Sequence, residues 1–161
     1  MSIENNGVKP HSERVVCGIA IDMYSIMIPD MYDPAAIPGT WSKFWSEFPK
    51  ADLPTNSEAY AVVVPIDETS GKLHYLAGVE VDSGYVAPAG FELVTIPAGN
   101  YLELAHRGNI STIAQSYGEA YGVAYPQSGL AMREAPHLER YDTTLNPESD
   151  DYSFGILIPV V

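Results

Sequence analysis

The sequence holds a single cysteine, Cys17, and only 8 lysines and arginines against 21 aspartates and glutamates. One thiol forms no internal disulfide, so no covalent staple supports the fold, and Cys17 in the apolar run 14–21 reads as a small buried hydrophobe. A net charge of −13 repels phosphate backbones and anionic lipid, which argues against direct nucleic-acid or membrane partners. No stretch approaches the roughly 18 apolar residues that span a bilayer, and the first residues carry no apolar signal core. A cytoplasmic location is expected. The four histidines, His11, His74, His106 and His137, are scattered without HxxxH spacing, and no CxxC pair exists, so no metal site is expected. No GxGxxG, GxxxxGK[ST] or GxSxG segment is present, so nucleotide cofactors and a hydrolase elbow lack support and no cofactor is expected.

What the chain does have is aromatic surface: 11 tyrosines, 2 tryptophans and 4 phenylalanines in 161 residues. That length suits one domain, in which such rings serve the core or the walls of a ligand pocket. The charge excess serves solubility, and it also raises the local concentration of cationic ligands.

Residues 1–13 are polar, with Gly7 and Pro10, and are expected to be a flexible tail before a single domain over 14–161. RVVCGIAIDM reads as a buried strand. The connection SIMIPDMYDPAAIPG follows, and its methionines suggest an adaptable lid. Trp41, Phe44, Trp45 and Phe48 recur at spacings of three and four, which predicts a helix over 37–48 with Pro38 in its first turn. After a linker, PKADLPTNSE, the runs AYAVVVPID and LHYLAGVEV predict a hairpin across ETSGK. FELVTI and GNYLELAHRG predict two further strands. Asn109 caps a second helix over 110–121, stopped by Gly122 and Pro126, and HLERYD and YSFGILIPV close the chain as strands. Strand, helix and strand pair thus occur twice. The order predicts an α+β fold in which duplicated strand-helix-hairpin units form one antiparallel sheet, with two main helices on one face and a ligand groove between them.

Candidate wall rings are Trp41, Trp45, Tyr101, Tyr117 and Tyr121. A buried carboxylate in such a pocket would pair with a cation while ring faces add cation–π attraction. Glu80 and Glu103 are the strand candidates, although their alternation with apolar neighbours favours solvent-facing positions on the open side of the sheet. His106 reads as a hydrogen-bonded strand-end residue rather than an acid or base, and His137 as an exposed structural residue.

GVEV, FELVTIPAGNY, the helix ending in Tyr121, Gly122 and Pro126, APHLERYD and the closing ILIPV together resemble the gyrase-inhibitor-like family, also known as AraC-type effector-binding domains. The resemblance covers nearly everything after residue 13. It implies a duplicated fold with a central pocket, which in multidrug-responsive transcription regulators takes bulky, often cationic, aromatic compounds. It also implies a stand-alone binder, since no helix-turn-helix pattern is seen. By the same resemblance Tyr117 and Tyr121 fall on aromatic positions of the groove, Ala124 on a frequent Trp, and Gly155 on the ligand-pairing Glu of the last strand.

Three functions are compatible with these readings. The first is non-enzymatic binding of an aromatic or cationic small molecule. The second is hydrolysis of a reactive electrophile by a pocket acid, against which the glycine at 155 counts. The third is an acidic, DNA-like surface that occupies a basic partner such as a topoisomerase or a transcription regulator.

Overall fold

The computed structural model describes residues 3–51, 53 and 58–161. The linker expected over 49–58 therefore lies partly outside the described residues.

Eight strands form one antiparallel sheet in the order β1-β6-β8-β7-β3-β4-β2-β5. They are β1 (Ile3–His11), β2 (Arg14–Tyr24), β3 (Glu58–Asp67), β4 (Lys72–Val81), β5 (Glu92–Ile96), β6 (Gly99–Arg107), β7 (His137–Asp142) and β8 (Ser153–Val160). Helix α1 (Ala36–Glu47) follows β2. A longer helix between β6 and β7 comprises α2 (Ile113–Glu119), a π-helical segment (Ala120–Ala124) and α3 (Tyr125–Ser128). The predicted α+β duplication is present: read outward from the centre, β7-β8-β6-β1 mirrors β3-β4-β2-β5.

Residues 3–11 are not a tail. They form edge strand β1, paired along β6 from Ile3↔His106 to His11↔Gly99. The segment escaped prediction because an edge strand is held by backbone bonds and buries few side chains: only Ile3 is fully covered. Lys9, Pro10 and a bulge between Asn5 and Val8, where Gly7 takes φ 80°, are features that keep such an edge from pairing further.

The sheet curls strongly. Flat, the six steps from β1 to β2 would hold them about 29 Å apart, yet only Ser12 and Glu13 join them, a link reaching about 11 Å at most. Alternation along the strands then separates two cores. Val16, Tyr60, Leu76, Ile96, Tyr101 and Leu157 meet inside the curl. On the other face, Cys17, Ile19, Tyr75, Ala77 and Val79 pack with Phe44 of α1, while Leu102, Leu104, Ile156 and Ile158 pack with Ala120 and Ala124. Each helix thus covers its own half.

The second helix outlasts the predicted stop at Gly122 and Pro126. The π turn lets the Tyr125 N–H reach back to Ala120 O, and Pro126 then falls in the first turn of α3, where a missing N–H costs little. Gly129, at φ 70° with its N–H on Pro126 O, is the actual terminator.

Candidate functional site

Because α1 rests on β2 and β4 and the second helix rests on the other half, the central strands β3 and β7 floor a groove between them. Two cavities occupy it, of about 840 Å³ and about 250 Å³. Tyr32, Ile37 and Ile113 border both and form a neck. The larger chamber is walled by Trp41, Trp45, Phe48, Tyr141 and Tyr152. The smaller is lined by Met23, Met27, Tyr117, Tyr121 and His137, with Tyr75 and Glu139 on its floor.

Phe44 is fully buried and seats α1, packing edge-on to Trp41, Trp45 and Phe48. Trp41 in turn stands edge-on to Tyr141, with centroids 5.4 Å apart. Its Nε1–H donates to the Tyr75 hydroxyl at 2.9 Å. Tyr75 donates to Glu139 Oε1 at 3.0 Å, and Tyr141 donates to the same oxygen at 2.6 Å. This chain of donors holds a buried carboxylate between aromatic walls. No cation pairs with Glu139 among the described residues. Burial raises its pKa, and the two tyrosine hydroxyls work against that rise. Burial and the nearby Glu139 charge push the Tyr75 and Tyr141 hydroxyls well above their ordinary range, so both remain donors. The arrangement is an acid-bearing aromatic cage with no protein cation beside it among the described residues.

His137 neighbours Glu139 at i−2 on the same face of β7. Its Nδ1 lies 2.7 Å from the Tyr121 hydroxyl, and its ring stacks on Tyr121 at 5.7 Å and 27°. Burial lowers its pKa to about 4, which keeps the ring neutral at neutral pH. The unfolded chain binds this proton more tightly, so folding stability falls as pH drops from about 6.5 towards about 4, by about 3 kcal/mol at the end of that window. Chemical denaturation at stepped pH should show that slope in the native protein and a flatter one in His137→Phe.

Four of the sequence-predicted residues reach the groove: Trp41 and Trp45 in the larger chamber, Tyr117 and Tyr121 in the smaller. Tyr117 and Tyr121 stand parallel, 6.1 Å apart. The other four lie on the opposite face of the sheet. Tyr101 is fully buried inside the curl, its hydroxyl on Pro136 O. Glu103 is not solvent-facing: it is buried, with His11 Nε2 at 2.7 Å and Arg140 Nη2 at 2.9 Å. Glu80 is half-exposed and 3.4 Å from Arg14. Gly155 pairs with Ala105 and Arg140 on the sheet, and a Cβ there would meet Leu157 and Arg140 on the curl side. A one-residue offset in strand register reverses the face, so no side chain at 155 would point between the helices. The carboxylate that does is Glu139 on the adjoining strand.

Sequence reasoning missed Glu139, Tyr75 and Tyr141, and it placed His137 on the surface. The signal was the parity of HLERYD. Leu138 and Arg140 share one face, His137, Glu139 and Tyr141 the other, and a strand central to a two-sided sheet buries both. His106 is the structural residue expected: wholly buried, it donates from Nε2 to Gly108 O at 2.8 Å and accepts the Ser116 hydroxyl on Nδ1 at 2.5 Å. Of the methionine loop, Met27 and Met31 are both exposed; Met27 lines the smaller chamber, and Met31 lies outside the residues that line either chamber. The described residues hold no cluster of metal-ligating side chains, and among them no helix is long and apolar enough to cross a membrane.

A family model described as integron-associated effector binding protein matches residues 22–160. The transcriptional regulator BrlR of Pseudomonas aeruginosa is 30% identical over 94 residues, which is 58% of this chain but 35% of that protein. The chain thus spans about a third of the length of this relative. Among solved structures, SAV2435 bound to tetraphenylphosphonium superposes with a TM-score of 0.73 at 19% identity, covering 98% of this chain and 94% of that one. The integron cassette protein VCH_CASS2 of Vibrio cholerae superposes with a TM-score of 0.69 at 17% identity over 100% of both chains. At these identities the structures share the fold.

Proposed function

The chain belongs to the family of integron-associated effector binding proteins, and on that premise we propose that it binds organic cations with aromatic or bulky apolar groups in the groove between its helices. Glu139 serves as counter-ion, and Trp41, Tyr75 and Tyr141 supply ring faces. The observation that carries this reading is a buried carboxylate, held by two tyrosine hydroxyls and lacking a cationic partner among the described residues. Burying an anion without a partner is costly, and a protein that retains one gains most from a ligand that neutralises it. A cation against a carboxylate already stripped of water meets a strong field, with the rings adding about 0.5–2 kcal/mol. The volumes suit the purpose: Glu139 lines the smaller chamber and is held by Tyr141 of the larger one, so a cation beside it has about 840 Å³ next to it for its bulky groups, enough for a drug-sized ligand. That a structural relative is bound to tetraphenylphosphonium, a bulky apolar cation, supports the same ligand class.

Thermal shift with ions of one shape and opposite charge tests the proposal. Tetraphenylphosphonium at about 100 times its Kd should stabilise the protein by about 2.7 kcal/mol, and tetraphenylborate should give no shift. Equal shifts from the two ions, or a preference for the borate, would contradict it.

A further inference from the structure

The smaller chamber is too confined, at about 250 Å³, to hold a second bulky group, and its chemistry differs from that of the larger one. At its wall the Tyr121 hydroxyl is buried and meets His137 Nδ1. A buried phenol must donate its proton, and Nδ1 is the acceptor available to it among the described residues. That contact fixes the tautomer. With Nδ1 accepting, the ring hydrogen sits on Nε2, which has no hydrogen-bond partner among the described residues. The π-helical segment that carries Tyr121 holds its ring stacked on the imidazole, so the N–H is fixed in direction.

We propose that the smaller chamber is a second recognition subsite, in which His137 donates its Nε2–H to a carbonyl, ether oxygen or ring nitrogen on an arm of the ligand. This rests on the reading of the groove as a cation site, because Glu139 sets where the charged centre lies. Residues 137 and 139 are two apart on one strand, which separates the two recognition points by about 7 Å. The preferred ligand is therefore bipartite: a cationic centre at the neck, beside Glu139, whose rings fill the larger chamber behind Tyr141, and an arm that carries an acceptor along the smaller chamber to His137. An arm ending in a donor is disfavoured, since it would face an N–H. The low pKa of His137 is consistent with this role, because a neutral imidazole donates without repelling the neighbouring cation.

The test compares (4-oxopentyl)triphenylphosphonium with its deoxy analogue, pentyltriphenylphosphonium, by isothermal titration. These differ only in the acceptor. The ketone should bind the wild-type protein about 5- to 20-fold more tightly, and in His137→Phe that ratio should fall to about one. Should His137→Phe fold poorly because the Tyr121 hydroxyl loses its acceptor, the double variant Tyr121→Phe/His137→Phe removes both groups and should show the same loss. Equal affinities in the wild type, or a ketone preference that survives in the variants, would overturn the subsite alone. Failure of both compounds to bind would overturn the cation-site reading and the subsite with it.

Discussion

Glu139→Gln is expected to weaken tetraphenylphosphonium binding by about 30- to 4,000-fold, measured by titration at neutral pH, because a buried charge partner is worth about 2–5 kcal/mol. Glutamine is nearly isosteric, and its Oε1 still accepts from Tyr75 and Tyr141, so the cage keeps its shape while losing its charge. Selectivity over the neutral triphenylphosphine oxide should collapse with it. The pH dependence follows from the direction of the carboxyl's shift. Burial raises the Glu139 pKa, and a bound cation lowers it again, so affinity rises as pH climbs through the raised value and the variant lacks that slope. The groups facing the carboxyl are the Tyr75 and Tyr141 hydroxyls and, close enough to feel its charge, those of Tyr32 and Tyr152. All four are shifted upward, away from this range. Stability runs opposite to affinity: a folded state that holds its proton more tightly than the unfolded chain loses stability as pH rises through the raised value. Glu139→Gln should therefore be neutral or stabilising for the empty protein near neutral pH. Loss of ligand without loss of fold distinguishes a binding group from a structural one.

Phe44→Ala is expected to cost about 3–5 kcal/mol of folding stability, the range for emptying a fully buried aromatic site, and to lower Tm by about 6–20 °C for a domain of this size. Phe44 is the residue through which α1 grips the sheet. Its ring contacts Trp41, Trp45 and Phe48 edge-on or nearly so and sits over Ile19, Ala77 and Val79. Without it the helix loses its seat and Trp41 its alignment with Tyr75. Affinity for the phosphonium should fall together with stability, the reverse of the Glu139→Gln pattern. Calorimetry and titration on the same samples separate the two behaviours.

Much of this fold was legible in the sequence because most strands after residue 13 are runs of β-branched and apolar residues bounded by turn residues, and α1 carries its rings at helical spacing. Two features were not. Edge strand β1 lacks an apolar face of its own, so nothing in IENNGVKPH separates a backbone-paired strand from a polar tail. Pro126 reads as a helix stop unless a π turn precedes it, and that turn has no pattern in the residues themselves. At the site, Trp41, Trp45, Tyr117 and Tyr121 could be found because helical periodicity identifies the inward face. The floor was harder. In a sheet buried on both sides each strand offers two sets of inward residues, and Tyr101, Glu103 and Gly155 belong to the set inside the curl. Choosing the other set needs the register of β6, β7 and β8 against one another, which pairs residues more than 30 positions apart in the case of Glu103 and Arg140. Glu139 and His137 were hidden for that reason, although both lie in APHLERYD, one of the segments that carry the family resemblance.

The most direct measurement is a crystal structure of the protein with tetraphenylphosphonium. The phosphorus should lie between α1 and the second helix, within about 5–6 Å of the Glu139 carboxylate and beside the rings of Trp41 and Tyr141. A cation found instead across the sheet, beside Glu103 and Arg140, with the groove between the helices empty, would contradict the account.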